Sequence, residues 1–292
     1  ACEAFGEFFL LSPIIALITN IDDDHLDYYG SVDKIRDAFV QFANKVPFYG
    51  TAILGIDDPQ VRLIAPLIKR RVTTYGLSAS AQVSAKKVVY TREGSMFDLI
   101  ERGRRLGRVT LHVPGHHNLL NALAAASVAL ELKAPFGAIA EGLSRFRGVK
   151  RRFELLGTYK DAPVVDDYAH HPREIEAMIE SARQVYPNRK ITGIFQPHLY
   201  SRTRDFAFDF ARSLDKLDMA ILLDIYPARE QPIEGITSQT IADKMNNPNR
   251  LLLDKADLLE WLRKNDVDVL LTMGAGDIDR LAPEIVKIFE AK

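Results

Sequence analysis

Two patterns of hydrophobic and polar positions divide the chain, and they meet near residue 148. Before this point, short apolar or alternating runs predict β-strands, because successive side chains of a strand point to opposite faces. These runs lie at residues 14–19, 51–56, 72–77, 86–91, 96–101 and 108–113. The last three are closely spaced around Gly94 and Gly103 and predict an antiparallel meander. An alanine-rich apolar pattern then predicts helices at 118–132 and 136–146.

After Gly148, short buried runs alternate with amphipathic segments. The runs predict strands at residues 162–166, 190–195, 219–223, 250–253 and 267–273. The amphipathic segments predict helices at residues 172–185, 203–214, 238–245, 256–263 and 277–289. Strand and helix in regular alternation predict a parallel sheet that is covered on both faces. The fold class is therefore α/β, with one domain predicted at 1–148 and a second at 149–292.

The composition narrows the class of protein. Hydrophobic residues make up 47% of the 292 positions, and 38 Lys and Arg oppose 39 Asp and Glu, so the net charge of −1 gives no general field for nucleic acid. Cys2 is the single cysteine, which excludes an intrachain disulfide and indicates a reducing compartment. No apolar run approaches the ~18–20 residues of a membrane span, and no signal peptide is evident. We therefore expect a cytoplasmic enzyme without a nucleic-acid or membrane partner.

Polar clusters follow three strands of the second predicted domain. They occupy residues 167–172, 196–204 and 274–277. Because parallel sheets bind ligands beyond the carboxyl ends of their strands, we expect a binding crevice there. The alternative for Asp167 is a helix cap, and His171 with Pro172 also fits a plain helix start.

Arginines add a second signal for an anionic ligand. Arg151 and Arg152 are adjacent at the predicted domain junction, and Arg202 and Arg204 lie at a predicted helix N-terminus. A planar guanidinium suits phosphate and carboxylate groups, and a helix N-terminus favours anions. The alternative for the adjacent pair is a solvated surface with ordinary salt bridges.

Two clusters in the first predicted domain also carry candidate chemistry. The run from Asp22 to His25 follows a strand and fits either a divalent-cation site or a loop. Asn118 and Asn121 are three residues apart, so their amides share a helix face and reach one planar ligand; Asn118 also fits a helix cap. Gly274 and Gly276 are a weak dinucleotide signal, and no Gly-x-x-x-x-Gly-Lys-Ser/Thr string occurs.

Together these strings resemble the Mur ligase family, and within it the branch that joins L-alanine to UDP-N-acetylmuramate. The matching strings are TNIDDDHLDYYGS (19–31), PGHHNLLNALAA (114–125), GVKRRFE (148–154), VDDYAHHPREI (165–175), FQPHLYSRTRDF (195–206) and MGAGDI (273–278). They occur in family order and span nearly the whole chain. The FQPH…SRTR string favours the alanine-adding branch over the later ligases and the tripeptide-recycling ligase.

The resemblance implies a particular architecture. The family has an N-terminal UDP-sugar domain, a central ATPase domain and a Rossmann-like C-terminal domain. This chain then corresponds to the latter part of the central domain, a mixed sheet with helices, followed by the C-terminal domain. The N-terminal domain and the P-loop portion would be missing partners, which agrees with a start at Ala1 without an initiator Met. We expect such a fragment to be inactive alone.

The resemblance also implies a reaction that uses ATP and Mg²⁺. The carboxylate of UDP-N-acetylmuramate is phosphorylated, and the amine of L-alanine displaces phosphate from the resulting acyl phosphate. His25 would be both a Mg²⁺ ligand and a catalytic residue. The nucleotide would be contacted by His117, Asn118 and Asn121. The family's magnesium-ligating glutamate would fall just before Ala1, and Glu3 is a nearby candidate but not the same residue.

In the second predicted domain, the resemblance implies catalytic roles for Arg152, Asp167 and His170. Arg152 would bind the ATP phosphates, and Asp167 would orient the nucleotide end of the site. Substrate contacts would come from Tyr168, His170, His198 and Arg202.

One position departs from the family pattern. Many relatives carry an arginine directly after the histidine of the FQPH string, where this chain has Leu199. Substrate contacts from this loop would then rest on Arg202 or on Arg204.

Two other functions remain open on the sequence. The chain fits a non-catalytic binding module that reuses the last two domains of the family. It also fits a related ligase that adds another amino acid, such as glycine or serine.

Overall fold

The computed structural model describes residues 4–22, 26–91, 93–159 and 161–291. The chain divides into two compact units, Ala1–Phe146 and Arg147–Lys292. Each unit contains one six-stranded sheet with its own hydrophobic core. No helix of the described residues is long and apolar enough to cross a bilayer.

The first unit combines parallel and antiparallel pairing in one sheet of order β1-β2-β3-β4-β5-β6. The strands are β1 (Ile15–Ile18), β2 (Thr51–Gly55), β3 (Val72–Tyr75), β4 (Val83–Thr91), β5 (Gly94–Glu101) and β6 (Arg104–Leu111). Strands β1 to β4 pair in parallel, and β4 to β6 form the predicted antiparallel meander, which is confirmed. β3 and β4 share a single register pair, Tyr75 with Val83.

Helices cover the two faces of this sheet. They are α1 (Leu26–Tyr29), α2 (Val32–Asn44), α3 (Pro59–Ile64), α4 (His116–Glu131) and α5 (Phe136–Arg145). One core cluster contains residues of β1, β2 and α2, and another contains β5 residues and the alanine-rich face of α4. The start of α4 depends on Gly115, whose φ of +101° is a left-handed value that glycine adopts without strain.

Helices α1, α2 and α3 were not predicted from the sequence. Ser31 caps α2 by accepting a hydrogen bond from the Lys34 N–H at 3.3 Å, and Asp58 caps α3 by accepting one from Val61 at 2.8 Å. Within α2, Ile35, Ala38 and Phe42 recur at helical spacing and are buried. The helical signal was present, but it lay between the more obvious β-rich runs.

The second unit is an α/β layer structure of order β11-β10-β9-β12-β8-β7. Its strands are β7 (Glu154–Tyr159), β8 (Ala162–Asp167), β9 (Ile191–Phe195), β10 (Met219–Leu222), β11 (Arg250–Leu252) and β12 (Val269–Met273). Its helices are α6 (Pro172–Val185), α7 (Tyr200–Asp205), α8 (Ala207–Leu214), α9 (Gln239–Ala242), α10 (Lys255–Lys264) and α11 (Ala282–Ala291). One core cluster lies under α6 and α8, and another lies under α10 and α11, so helices cover both faces as predicted.

Two details of this unit correct the sequence analysis. The sheet is not wholly parallel, because β7 pairs antiparallel with β8 at its edge. Strand β7 was not predicted from the sequence. Leu155 and Thr158 of β7 are exposed and its other residues are only partly buried, so the strand lacks the continuous buried run of its neighbours. The single helix predicted at 203–214 is two helices, because Phe206 has φ −111° and ψ 15° and interrupts the helical backbone.

Candidate functional site

The strand order of the second unit creates a crevice at one edge of its sheet. From β9 the chain proceeds outward to β10 and β11, and it then returns to place β12 on the other side of β9. The neighbouring strands β9 and β12 therefore lead into loops that diverge at their carboxyl ends, which is where open α/β sheets bind ligands. All three polar clusters predicted from the sequence leave the sheet at this carboxyl edge.

Asp167 is the last residue of β8, and its carboxylate holds two neighbouring backbone segments in place. Its Oδ2 accepts a hydrogen bond from the Phe153 N–H at 2.7 Å, and its Oδ1 accepts one from the Ala169 N–H at 2.8 Å. The N-cap of α6 is His171, with Pro172 in the first turn, so the cap interpretation of Asp167 is wrong and the helix-start interpretation of His171-Pro172 is confirmed. Burial raises the pKa of Asp167 to about 6, against the lowering effect of the two backbone hydrogen bonds.

Arg151 joins three segments of the crevice, and the sequence analysis gave it no separate role. Its Nε donates to Oδ2 of Asp166 at 3.2 Å, and a terminal nitrogen donates to the Gly274 carbonyl at 2.6 Å. The guanidinium also lies 5.0 Å from the ring centroid of Tyr168. Asp166 is buried and accepts a second hydrogen bond, of 2.6 Å, from the Thr272 hydroxyl. The left-handed φ of Arg151, +58°, was the feature that sequence could not reveal.

Arg152 is held more loosely than its neighbour. Its side chain is 52% exposed, and one terminal nitrogen lies 3.3 Å from Oε1 of Glu174. Its guanidinium lies 5.8 Å from the ring centroid of Tyr168, so the Tyr168 ring is near both arginines. The solvated-pair interpretation therefore fails for Arg151 and fits only the exposed part of Arg152. Arg152 retains donor capacity toward the crevice.

His170 and Glu174 form the entry to α6. Oε2 of Glu174 accepts hydrogen bonds from the backbone N–H groups of His170 and His171, at 3.0 and 3.2 Å, and lies 3.1 Å from Nδ1 of His170. Burial alone would raise the pKa of Glu174, but its contacts with His170 and Arg152 outweigh that effect and hold the pKa well below its ordinary value. Glu174 therefore stays ionised and orients the His170 imidazole.

His198 approaches His170 from the next loop of the edge. The two ring centroids are 6.0 Å apart, and the His198 ring stacks on Tyr226 at 5.8 Å. Burial lowers the pKa of His198 to about 4, and the positive charge of Arg202 lowers it further. Among the described residues, Nδ1 of His198 is buried and has no hydrogen-bond partner.

The arginines of α7 are not equivalent. Arg204 is exposed and pairs with its neighbour Asp205 at 2.7 Å, while Arg202 acts electrostatically on His198. Of the two candidates to compensate for Leu199, the structure therefore places Arg202 beside the predicted site. Leu199 itself has a left-handed φ of +71°, and its carbonyl accepts from the Thr203 hydroxyl at 2.8 Å.

Gly274 and Gly276 serve close packing at the end of β12. A Cβ on Gly274 would lie 2.8 Å from the Gln196 carbonyl oxygen, and one on Gly276 would lie 2.5 Å from Oε1 of Gln196. Gln196 is buried and bridges the loop, accepting from the Ile278 N–H and donating to Asp277, both at 2.9 Å. The glycines thus let the ends of β9 and β12 approach each other, which explains the pattern without a dinucleotide.

The first unit carries the other predicted nucleotide contacts. His117 and Asn118 lie in the first turn of α4, and the exposed Asn121 follows one turn later. The Asn118 amide donates to the Pro114 carbonyl at 2.7 Å, and the N-cap is Gly115, so the cap interpretation of Asn118 is wrong. His25 lies outside the described residues. Within the described ranges, no group of three or more His, Cys, Asp and Glu side chains is arranged to hold a metal ion.

The chain is similar to known proteins along nearly its whole length. Residues 6–129 match the family model described as the Mur ligase middle domain, and residues 151–276 match that of the Mur ligase glutamate ligase domain. The UDP-N-acetylmuramate–L-alanine ligase of Pelobacter propionicus is 44% identical over 99% of this chain and 65% of that protein. This chain therefore spans less than two thirds of the length of that relative.

Solved structures give the same result for the fold. The crystal structure of UDP-N-acetylmuramate-alanine ligase from Thermotoga maritima aligns with a TM-score of 0.77 at 28% identity, covering 98% of this chain and 62% of that one. The MurF ligase of Thermotoga maritima in complex with ADP aligns with a TM-score of 0.72 at 18% identity, covering 97% and 63%. The second likeness shows a shared fold.

Proposed function

Because this chain belongs to the Mur ligase family, we propose that it is part of an ATP-dependent ligase that joins L-alanine to UDP-N-acetylmuramate. The observation that carries the proposal is the 44% identity to a ligase of that name over 99% of this chain. The carboxyl edge of the second unit supports it, because Arg152 and His170 meet there at Glu174 and His198 lies beside His170. ADP bound to a structural neighbour agrees with a nucleotide substrate.

The proposed reaction has two steps. The sugar-linked carboxylate attacks the terminal phosphorus of ATP, which releases ADP and leaves an acyl phosphate. The neutral amine of L-alanine then attacks the acyl carbon, and the tetrahedral intermediate expels phosphate and loses a proton to give the amide. Both steps develop negative charge on phosphoryl oxygens, so cationic donors fixed near them lower the barrier.

We assign the donor nearest the phosphates to Arg152. Its guanidinium is half exposed at the carboxyl edge, and its ion pair with Glu174, at 3.3 Å, leaves other N–H groups for a ligand. Asp167 fixes the backbone next to Arg152 through Phe153, so its role is to hold this segment in place as well as to orient the nucleotide end. Arg151 supports the same segment from Asp166.

The substrate side of the crevice is assigned to Tyr168, His170, His198 and Arg202. Burial and Arg202 keep His198 neutral near pH 7, so its imidazole is able to accept a hydrogen bond from an ammonium or amine. His117, Asn118 and Asn121 are assigned to the nucleotide. We assign Mg²⁺, which would neutralise phosphoryl charge, to His25.

The test is ADP release with Mg-ATP, UDP-N-acetylmuramate and L-alanine. This chain is compared with a version extended at its N-terminus to include the segment that relatives carry. We expect turnover only from the extended protein and only with both other substrates, because this sequence has no P-loop string. ADP release by this chain alone would contradict the expectation that the fragment is inactive. No turnover by either protein would favour the binding-module alternative.

Two further comparisons sharpen the result. In the extended protein, Arg152→Ala is expected to lower turnover by at least about a hundredfold, in the range seen when one charge-stabilising donor is lost. Arg145→Ala is the control, because Arg145 is exposed on α5 and pairs with Glu141 at 2.7 Å. Competition among L-alanine, glycine and L-serine then separates the alanine-adding ligase from a relative with another amino-acid specificity.

A further inference from the structure

The first unit contains a cavity at the place where its sheet changes from parallel to antiparallel pairing. β3 and β4 share one register pair, Tyr75 with Val83, and the Gln82 N–H donates to the Thr74 carbonyl at 3.0 Å just before β4, so the gap lies beyond this bond, beside Thr73. The C-terminal half of α4 lies over this gap, with Ser127 and Leu130 facing it. The resulting cavity has a volume of about 480 Å³, which is enough for a small metabolite.

The lining of this cavity is cationic. Its polar residues include Thr73, Gln82, Glu101, Arg102, Glu131 and Lys133, and we refer to it as the basic cavity. Arg71 and Arg104 also line it, so positive side chains outnumber the two carboxylates by two. The excess is local, since the whole chain has a net charge of −1.

Both carboxylates of the basic cavity already have partners. Arg71 forms an ion pair with Glu131, and Arg104 lies 3.7 Å from Glu101. Within the described part of the chain, no carboxylate lies within ion-pair distance of Arg102 or Lys133. The uncompensated charge of the cavity is therefore carried by these two side chains.

Neutral donors and an apolar wall complete the lining. Oε1 of Gln82 accepts from the Thr74 N–H at 3.3 Å, which leaves the amide N–H groups of Gln82 for a ligand. The Thr73 hydroxyl is a further donor, while Val83 and Leu130 present apolar surface. Convergent cationic and neutral donors beside a small apolar wall fit an organic anion better than water alone.

Local structure accounts for the positions of these two cations in part. The carbonyl groups at the C-terminus of α4 favour a nearby cation, and Lys133 follows that terminus by two residues. Arg102 lies on the turn between β5 and β6 instead, where its backbone has a left-handed φ of +46°. Both side chains are exposed, so neither needs a carboxylate partner to be stable. They indicate a ligand because they come from two different elements and line the same cavity.

We propose that the basic cavity binds a small organic dianion, either a phosphate monoester or a dicarboxylate. A planar guanidinium and an ammonium recognise the charged oxygens of both groups, and Gln82 and Thr73 supply further hydrogen bonds. The cavity lies toward the opposite end of α4 from Asn118, about 14–20 Å away at 1.5 Å per helical residue for Ser127 to Glu131. It is therefore separate from the nucleotide contacts proposed at the start of that helix.

The test is isothermal titration of this chain with sodium phosphate and with sodium succinate at constant ionic strength. We expect saturable binding of at least one probe. Arg102→Gln and Lys133→Gln should each weaken it about tenfold, the effect of losing one charge-assisted contact. Lys34→Gln is the matched control, because Lys34 is exposed on α2 and lies outside the cavity. Its affinity should stay within about twofold of the wild type.

A chemical footprint gives an independent readout. The bound probe should protect Lys133 from acetylation while Lys34 reacts at an unchanged rate, as measured by mass spectrometry. Binding of both probes supports the shared dianion chemistry, and binding of only one narrows the class. Absence of saturable binding with either probe, or equal affinity in the Arg102 and Lys133 variants and the wild type, would overturn the proposal.

Discussion

The carboxylate of Asp167 accepts a hydrogen bond of 2.7 Å from the backbone N–H of Phe153. This contact ties the end of β8 to the segment just before β7, which carries two adjacent arginines. Arg151 and Phe153 both have left-handed φ values, +58° and +50°, so the backbone turns sharply around Arg152. As a result, Arg151 reaches Asp166 inside the unit, while Arg152 remains at the surface beside Glu174.

The two arginines should differ in their effect on stability. Arg151→Ala leaves the buried carboxylate of Asp166 without its cation, and we expect a loss of about 3 kcal/mol in the free energy of unfolding. Arg152→Ala removes a half-exposed ion pair, so its loss should stay within about 1 kcal/mol. Urea unfolding followed by the fluorescence of Trp261, the single tryptophan, reports on the second unit. Equal losses in the two variants would show that Arg151 has no special structural role.

Asp167 should make stability depend on pH in an unusual direction. Its pKa of about 6 in the folded chain lies above the ordinary value of 3.8, so the folded state binds more protons between these values. Its contribution to the free energy of unfolding therefore falls as pH rises from about 4 to about 6. Unfolding measured from pH 4 to pH 7 should show the loss caused by Asp167→Asn shrinking by about 2–3 kcal/mol. A loss that is constant with pH would contradict this.

Glu174 should have the opposite pH dependence. Its pKa is held below the ordinary value of 4.5, so its stabilising effect is present above that pH and disappears as pH falls through the folded-state pKa. Glu174→Gln should cost about 1–2 kcal/mol at pH 7, because its backbone hydrogen bonds cap α6, and clearly less near pH 3. Glu180→Gln on the same helix is the control, since its exposed side chain shares Lys216 with Glu176. Equal effects of the two variants would exclude a special role for Glu174.

His198 should remain neutral well below pH 6. Its pKa is about 4, so the folded state binds fewer protons than the unfolded state between about pH 4 and 6.5, and stability rises with pH across that window. An NMR titration, with the His198 signal assigned by its loss in His198→Gln, should show no change between pH 7.5 and 6. Arg202→Gln removes a nearby positive charge and should raise the pKa, whereas Arg212→Gln, whose partner is Asp209, should not. Titration of His198 near pH 6.5 would refute this electrostatic description.

Two glycines should respond to alanine in opposite ways. A methyl group on Gly276 would collide with Oε1 of Gln196 and with Tyr226, so Gly276→Ala should destabilise the second unit by about 1–3 kcal/mol. Gly142 lies in α5 with nothing within 4 Å of its Cβ position, so Gly142→Ala should stabilise the first unit by about 0.5–1 kcal/mol. Urea unfolding followed by tryptophan fluorescence and circular dichroism measures the two effects. A neutral Gly276→Ala would mean that the packing of β12 against Gln196 adjusts freely.

Much of the fold followed from periodicity, because continuous buried strands and alanine-rich helices are strong signals. The parallel strands β8, β9 and β12 are buried along their whole length, and the sequence analysis placed them within a few residues. Short elements with mixed patterns were harder. Helix α2 depends on a serine cap and three buried positions, and β7 is a half-exposed edge strand.

The loops that form the candidate site were predicted from the sequence, but the hydrogen bonds and ion pairs between their residues were not. The positions of Asp167 and His170 at one sheet edge followed from the parallel strand that precedes them. Arg152 was expected at the domain junction, and its contact with Glu174 at this edge was not predicted. The different contacts of Arg151 and Arg152 were not predicted, because they depend on a left-handed backbone conformation at Arg151, which is not a glycine. The partners of Asp167 are likewise backbone N–H groups, which carry no side-chain signature in a sequence.

β3 and β4 share a single register pair, so the loop between them is able to change in length without changing the pairing of the parallel strands. Asp57 holds the start of the intervening loop by accepting from the N–H groups of Leu77 and Ser78, at 2.6 and 3.0 Å. An insertion or deletion after Ser78 would therefore leave the register of β1, β2 and β3 unchanged. The meander itself is not independent of the parallel half, because Phe97 of β5 and Ile53 of β2 belong to one core cluster, so the tolerated changes in length are confined to this loop.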